Sequence, residues 1–360
     1  MRVRRPSLRA CLKGGLLALL LASVLLLAPV AYVEVACRGD AEPRAYRPLI
    51  TDPAWQRREA NTYLTYPEWH IVFAYDGLAQ ALKDGDEHAF DYAPSIRAFW
   101  TSTCALMQVA DAHGGADGAT RGMIHTIGVS FTAEMAIKGL YEETVGRATA
   151  WIRGPRKTPQ DLAVAARAAD YAAFLRQTPW YAYPFRRAAG QLWNAPVDGV
   201  IRGWERRFGI GVEFLAKSAY AVLIGHAAAS APAELTIRSV VSGLDAAVLA
   251  RMPHVTVIGP RGGGTEIETP RYALFTTILA EIARRGGTIL EIAGNDEVMV
   301  TLTRLAGTTV PMPFGAVILR VPREGFPSER LLVDVPLPEL ASLLNAYPLG
   351  DPGVEHVFDY

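Results

Sequence analysis

The pattern of apolar and polar positions divides the chain into three parts. An uncharged run extends from Gly14 to Val33. Long segments with apolar residues at helical spacing continue to about Ser230, and short β-branched runs then alternate with helical ones. The pattern predicts an α+β protein with a single N-terminal transmembrane helix, an external all-α helical domain and a smaller α+β sandwich domain. The predicted parts are a cytoplasmic basic N-terminus (1–13), a transmembrane signal-anchor (14–35), a tether (36–51), the helical domain (52–230) and the α+β domain (231–360).

The N-terminal run has the length and flanks of a membrane anchor. About 20 apolar residues cross a bilayer as a helix. Basic residues before the run stay in the cytoplasm; they are Arg2, Arg4, Arg5, Arg9 and Lys13. The first acid is Glu34. We therefore expect a single-pass protein of the cell membrane, with the bulk of the chain on the extracytoplasmic (periplasmic) side.

Cleavage of this segment is an alternative. The run ends APVAYVEVAC, so Ala36 could stand at a signal-peptidase site and Cys37 at a lipoprotein site. Glu34 is a poor residue for either motif, because small or aliphatic residues are preferred there. The sequence favours an uncleaved anchor.

The chain has three cysteines, Cys11, Cys37 and Cys104. Cys11 would be cytoplasmic, whereas Cys37 and Cys104 would face an oxidising space in which a disulfide can form. Their distant positions carry no spacing signal. The sequence alone favours two unpaired cysteines.

Helical spacing and proline positions predict the helices of the second part. Asp52-Pro53 has the form of a helix start. The predicted helices are Pro67–Lys83, Pro94–Ala112, Ala119–Arg147, Pro159–Gln177, Phe185–Phe208 and Val212–Ala229. The stretch Phe214–Ala231 could be mistaken for a second membrane span, but it is short and carries Lys217 and His226. It is interpreted as a buried helix.

The third part predicts an α+β fold without an internal repeat, a split β-α-β sandwich being one form. Strands are expected at LTIRSVV, HVTVIG, GAVILRV and RLLVDV, with a closing helix at LPELASLLNAY. Thr269 and Pro270 predict a helix start, and TILEIAGNDEVMVTLT predicts a β-hairpin. The segment Gly259–Arg271 lacks a phosphate-loop motif and is interpreted as a flexible surface loop.

Two histidines stand on helical stripes of small residues. Offsets of four, seven and eleven place Ala74, Gly77 and Ala81 beside His70, and Val129, Thr132 and Ala136 beside His125, with Gly128 and Gly139 alongside. Two such stripes could pack together and bring the histidines near each other. His226 is a weaker third.

The histidines define two hypotheses. One is an interhelical metal or haem site using His70 and His125, with His226, Glu68 or Asp76. The other is a pair of hydrogen-bonded core histidines, which is favoured because HExxH, CxxC and CxxCH are absent. A metal or haem could be held, and neither is favoured over an apoprotein.

Two further groups have alternative interpretations. Glu134, Lys138 and Glu142 follow at intervals of four and predict a solvated ion-pair ladder. The turn TPWYAYPF presents Trp180, Tyr181, Tyr183 and Phe185. Such aromatics contact membranes or partners, or they form a hydrophobic plug under a loop.

Charge limits the class of partner. Lysine plus arginine equals aspartate plus glutamate at 36 each, so no global field attracts nucleic acid and none is expected as a partner. GxSxG, the nucleophile motif, is absent.

The stretches YVEVACRG and LTYPEWHIVFAYDGLA resemble a family of uncharacterised bacterial membrane-anchored proteins with a TYPEWHIV-like motif. The resemblance covers the end of the anchor and the first helices. It implies no activity, cofactor or catalytic residue. We expect an extracytoplasmic accessory or binding protein, with the membrane and an envelope protein as partners. The alternative is a histidine-dependent metal- or haem-binding enzyme or electron carrier.

Overall fold

The computed structural model describes residues 8–40, 46–229, 235–308 and 312–360. It confirms the coarse order, helical and then α+β. Helix α1 (Leu8–Ala36) comes first. Within the described ranges, its segment Lys13–Ala36 is the one stretch long and apolar enough to cross a membrane. Val33 and Cys37 at its end are buried against the rest of the protein, and Val30 packs on the same core.

Within the described residues, the helical domain contains eight further α-helices. They are α2 (Asn61–Leu64), α3 (Tyr66–Asp84), α4 (Tyr92–Ala112), α5 (Gly118–Tyr141), α6 (Arg147–Arg153), α7 (Pro159–Leu175), α8 (Phe185–Asn194) and α9 (Val200–Ala229). A π-helical turn, Glu142–Gly146, joins α5 to α6. The predicted interruption between residues 208 and 212 is wrong. The break instead falls at residues 195–199, where Pro196 cannot continue the hydrogen-bond ladder.

The described part of the C-terminal domain is built from two four-stranded antiparallel sheets. The first half contains β1 (Thr236–Ser242), α10 (Ala246–Leu249), β2 (Thr256–Arg261), β3 (Gly264–Pro270), α11 (Ala273–Arg284) and β4 (Thr288–Ile292). The second contains β5 (Glu297–Leu305), β6 (Ala316–Pro322), β7 (Ser328–Pro336), α12 (Leu337–Ala346) and β8 (Gly353–Val357). Helices α11 and α12 pack with residues of both sheets in one core.

The two halves have the same topology, so the expectation of no internal repeat is wrong. The strand orders are β2-β3-β1-β4 and β6-β7-β5-β8, and in each half the helix lies between the third and fourth strands. The irregularities also correspond. The β1–β4 ladder shifts register after Val240 and the β5–β8 ladder after Thr301. The equivalent residues differ in type, and the repeat is therefore visible in the strand register and not in the residue pattern.

Two local predictions for this domain are wrong. The segment predicted as a flexible loop is the β2–β3 hairpin, whose Glu266 is buried and pairs with Arg238 and Arg261. Thr269 and Pro270 end β3 and do not start a helix, since α11 begins at Ala273. The two strands contain prolines, glycines and charged residues, and these obscure the alternating pattern by which a strand is recognised.

The predicted hairpin around Gly294 is also corrected. A tight turn does bring Ile292 opposite Asn295. However, β4 belongs to the first sheet and β5 to the second. The turn therefore joins the two halves, because pattern alone does not say with which strand a strand pairs.

The helical and α+β domains are joined through α3 and the second sheet. Trp69 stacks on His356 with 3.6 Å between ring centroids, and Arg330 lies 3.8 Å over the Phe73 ring. The described end of the predicted tether is fixed as well. The Ile50 amide donates to Glu291 Oε1 at 2.7 Å and the Tyr46 hydroxyl to Oε2 at 2.5 Å.

Candidate functional site

His70 lies in an aromatic core. Its Nε2 is 3.1 Å from the Ser95 carbonyl oxygen, and Phe99 and Phe131 meet the ring edge-on with centroids 5.5 Å away. Burial lowers the pKa of His70, so the ring is neutral and Nε2–H donates to the carbonyl. This is the arrangement of a packed, hydrogen-bonded core histidine.

His125 has a different partner. Its Nε2 lies 2.6 Å from Glu34 Oε1, and Arg121 approaches the same carboxylate at 3.5 Å. Arg121 also pairs with Asp111 at 2.6 Å. A cluster on α4 and α5 therefore holds the first acid that follows the apolar run.

The structure places the residues of the predicted metal or haem site in separate environments. Asp76 pairs with Arg176, and Glu68 is exposed in the first turn of α3. His226 is on α9, and its side chain is outside the described residues. His70 and His125 share no hydrogen-bond partner in the described part of the chain.

The glycines of the two small-residue stripes make their closest contacts with different elements. Gly77, on the His70 stripe, packs directly on the backbone of Glu324 and Gly325 in the β6–β7 turn. Gly128 and Gly139, beside His125, pack on the α4 aromatics: a Cβ at Gly128 would lie 2.6 Å from Phe99 Cε1. The sequence identifies close approach correctly, but it does not identify the partner.

A disulfide fastens the end of α1 to the helical domain. Cys37 and Cys104 are bonded, with 5.0 Å between their Cα atoms and a sequence separation of 67. The expectation of unpaired cysteines is therefore wrong. The next residues continue the attachment, since the Gly39 amide donates to Asp111 Oδ2 at 3.1 Å. Gly39 packs so closely on the Gln108 carbonyl that a side chain would clash.

A second polar cluster lies where the two domains meet. His113 Nδ1–H donates to the Val109 carbonyl at 2.7 Å, so that Nε2 faces Glu297 Oε2 at 3.3 Å. Ligand atoms of Glu59, His113 and Glu297 all lie within 4.8 Å of one another. This donor set could hold a divalent cation. All three side chains also take part in other interactions.

A buried ion network fills the space behind α9. Arg202 pairs with Asp161 at 2.8 Å, and Arg206 pairs with Glu87 at 2.9 Å and Glu142 at 3.0 Å. Burial alone would raise the pKa of Asp161, but Arg202, the Thr158 amide and Arg153 outweigh it and lower that pKa. The predicted solvated ladder is wrong, because Glu134, Lys138 and Glu142 pair with Lys217, Glu213 and Arg206 of α9; Lys138 and Glu142 point inward, and Glu134 is still a third exposed.

An open cavity of about 380 Å³ lies at one end of this network. Its lining includes Arg153, Arg156, Lys157 and Arg202. Arg153 and Arg202 are already paired, with Asp86 and Asp161 among their partners. The basic character of the cavity therefore comes chiefly from Arg156 and Lys157, offset in part by Asp198, and the lining has no nucleophile–base pair.

The aromatic turn is mostly internal. Tyr183 and Phe185 are buried, and Trp180 stacks on Tyr220 at 5.3 Å. Tyr181 is half-buried against the same core. The turn is a hydrophobic plug between α7 and α9, and Tyr183 and Phe185 are not available to a membrane or a partner.

Sequence reasoning missed most residues of these clusters. From sequence, Glu34 marks the end of the apolar run and argues against cleavage but is not a site residue, and His113, Glu59 and Glu297 come from distant segments without a motif. No protein-family model, curated protein or solved structure matches the chain.

Proposed function

We propose that this protein is a membrane-anchored extracytoplasmic accessory protein that acts by binding and holds its duplicated α+β domain in a fixed position at the membrane surface. The observation that carries the proposal is the Cys37–Cys104 disulfide directly after the apolar helix. Disulfides persist in oxidising compartments, which supports an extracytoplasmic position for everything after α1. A disulfide-bonded Cys37 is also not available as a lipoprotein cysteine.

The attachment extends from the anchor to the C-terminal domain. Glu34 is held by His125 and Arg121 on α5. At the other end, the Thr62 hydroxyl donates to the Phe358 carbonyl at 2.9 Å, and the Met299 amide donates back to Thr62 at 3.0 Å. A free linker would leave the α+β domain mobile. These contacts instead support a fixed distance and orientation of that domain relative to the membrane.

A topology experiment tests this proposal in cells. Alkaline phosphatase fused after Tyr360 should be active, and carbonate washing should leave the chain in the membrane. In cells treated with acid before lysis, Cys37 and Cys104 should not react with a maleimide until reductant is added. An inactive fusion, or two freely reactive thiols, would refute the extracytoplasmic assignment.

Metal binding is a second candidate, favoured by the geometry of Glu59, His113 and Glu297. The cation would bind where the domains meet and not at His70 and His125. Zn²⁺ should then raise the Tm of the wild type, and His113→Asn should abolish that shift. His125→Asn is the matched control and should retain it. A shift that is equal in all three proteins would rule the site out.

A further inference from the structure

Helix α9 is amphipathic, but it exposes its apolar side. A helix on the surface of a water-soluble protein exposes its polar side. The exposed positions between residues 200 and 222 carry no charge. They are Val200, Ile201, Trp204, Phe208, Val212, Leu215, Ala216, Ala219, Tyr220 and Val222. Surface helices normally turn charged residues toward water. The interpretation of Phe214–Ala231 as a buried helix is therefore corrected for residues 214–222, whose exposed side chains are apolar; the side chains of the remainder lie outside the described residues.

Most charged residues of α9 point the other way; Arg207 is the exception, with its guanidinium over the Trp193 and Trp204 rings. Arg202 and Arg206 are fully buried and paired with acids of neighbouring elements. Lys217 reaches Glu134 at 2.6 Å. Burying ion pairs is costly compared with leaving them in water. If the outer side of α9 faced water, these charged residues would be expected there and not in the interior.

Helix α5 repeats the arrangement beside α9. Its exposed positions, among them Met123, Ile137 and Leu140, carry no charge, while Lys138 and the third-exposed Glu134 both pair with residues of α9. The apolar surface of α9 continues over Trp193 of α8, whose ring meets Trp204 and Phe208, and Trp151 and Ile152 of α6 are exposed as well. Exposed apolar residues gathered in this way mark an interaction surface. We call it the α5–α9 face.

The α5–α9 face begins where α1 meets the helical domain. Glu34, the first acid after the apolar run, is bound to His125 of α5. Val30 and Val33, which belong to the apolar run, pack on the core of the helical domain. Val30 precedes Glu34 and lies about 6 Å closer to the middle of the apolar run, at ~1.5 Å per residue. Part of the helical domain therefore lies at the level of the hydrocarbon that α1 would cross.

We infer that the α5–α9 face lies against phospholipid acyl chains beside α1. A hydrocarbon environment explains both sides of α9: outward charges would be expensive in lipid, and inward pairing removes that cost. Trp151, Trp193 and Trp204 at one end of the face agree with the preference of tryptophan for membrane interfaces. A protein partner would account for the apolar exterior but not for its continuity with α1. The inference rests on the proposed anchoring by α1.

The test places an environment-sensitive NBD fluorophore on single cysteines of the full chain. The Cys11→Ser protein keeps its disulfide and provides the background. Val212→Cys and Ile137→Cys report on the face, Leu20→Cys on α1, and Leu305→Cys on the α+β domain; these four side chains are 62%, 70%, 56% and 59% exposed. Each protein is reconstituted in phosphatidylcholine–phosphatidylglycerol vesicles. Lipid-borne doxyl groups and aqueous iodide serve as quenchers.

The expected result is that doxyl lipid quenches positions 212 and 137 to about the same fraction as position 20, while iodide quenches only position 305. Iodide quenching at 212 and 137, with position 20 still in lipid, would overturn the inference and leave the anchor intact. Protection from both quenchers would show that protein, such as a second copy, covers the face, and would also overturn it. Iodide quenching at position 20 would instead refute the anchoring itself.

Discussion

Glu291 and His356 occupy equivalent positions in the two halves of the C-terminal domain. Glu291 pairs with Val240 just before the bulge between β1 and β4, and His356 pairs with Thr301 just before the matching bulge between β5 and β8. Each side chain reaches to the N-terminal part of the chain. Glu291 accepts from the amides of Leu49 and Ile50, and His356 stacks on Trp69. The repeat therefore provides two attachment points. One holds the segment between α1 and α2, and the other holds α3.

Replacing Glu291 should loosen the first attachment. The carboxylate is fully buried and accepts from two amides and the Tyr46 hydroxyl. Glu291→Gln keeps the shape but loses the charge and part of the acceptor capacity, which should cost about 2–3 kcal/mol in the free energy of unfolding. Chemical denaturation measures it. Glu268→Gln is the control; Glu268 is a quarter exposed in its pair with Arg238 and should cost less than about 1 kcal/mol. Equal losses would contradict this account.

The second attachment predicts sensitivity to acid. Burial holds the pKa of His356 well below its ordinary value, and Arg176 lowers it further. The unfolded chain takes up a proton near pH 6.5 that the folded chain cannot accept. Stability is therefore complete above that pH and falls as the pH is lowered, by at most about 1.4 kcal/mol per pH unit for this group. His70, whose pKa is also lowered by burial, adds to the effect.

His356→Phe separates this contribution from the others. The ring can still stack on Trp69, while the hydrogen bond to the Thr276 hydroxyl at 3.1 Å is lost. We expect a cost of about 1 kcal/mol at pH 8 and a smaller loss of stability between pH 6.5 and pH 5. Denaturant titrations at several pH values measure both. An unchanged slope would show that His356 is not the group responsible.

The sequence predicts the features of this fold that depend on interactions between residues close together in the chain. The helix Tyr66–Asp84 was predicted within one residue at each end because proline, glutamate and apolar spacing all act within it. The repeat, the division of β4 and β5 between sheets and the inward direction of Lys138 depend on partners distant in sequence. Spacing of four on one helix is equally compatible with water and with a facing helix that carries Glu213.

The candidate sites show the same limit. His70 and His125 were selected because their small-residue neighbours permit close approach, and close approach does occur. The approaching surfaces are the β6–β7 turn and α4, which no pattern on α3 or α5 specifies. The cluster of Glu59, His113 and Glu297 carries no spacing signal, since its members come from a loop, a helix end and a strand start.

Close approach at Gly77 provides a direct test of the domain joint. A Cβ at this position would overlap the Glu324 carbonyl group, which is backbone and cannot rotate away. Gly77→Ala should therefore destabilise the protein by about 2–3 kcal/mol despite the higher helix propensity of alanine. Gly122→Ala on α5 is the matched control, because a Cβ there meets nothing within 4 Å; it should stabilise by at most ~1 kcal/mol. Thermal unfolding of both variants measures the difference, and a tolerated Gly77→Ala would contradict the contact.

The disulfide predicts how firmly the helical domain is fastened to α1. The bond closes a loop of 67 residues, so its loss should lower the free energy of unfolding by about 4 kcal/mol, through the greater entropy of the unfolded chain. The Cys37→Ser/Cys104→Ser double variant in detergent should show this in denaturant titrations, and reductant should change the wild type but not the variant. Cys11→Ser is the control and should behave as the wild type. Because Glu34 keeps His125 and Arg121 as partners, the double variant should still fold at low denaturant. A wild type that is insensitive to reductant would mean that these charged contacts alone hold the domain to α1.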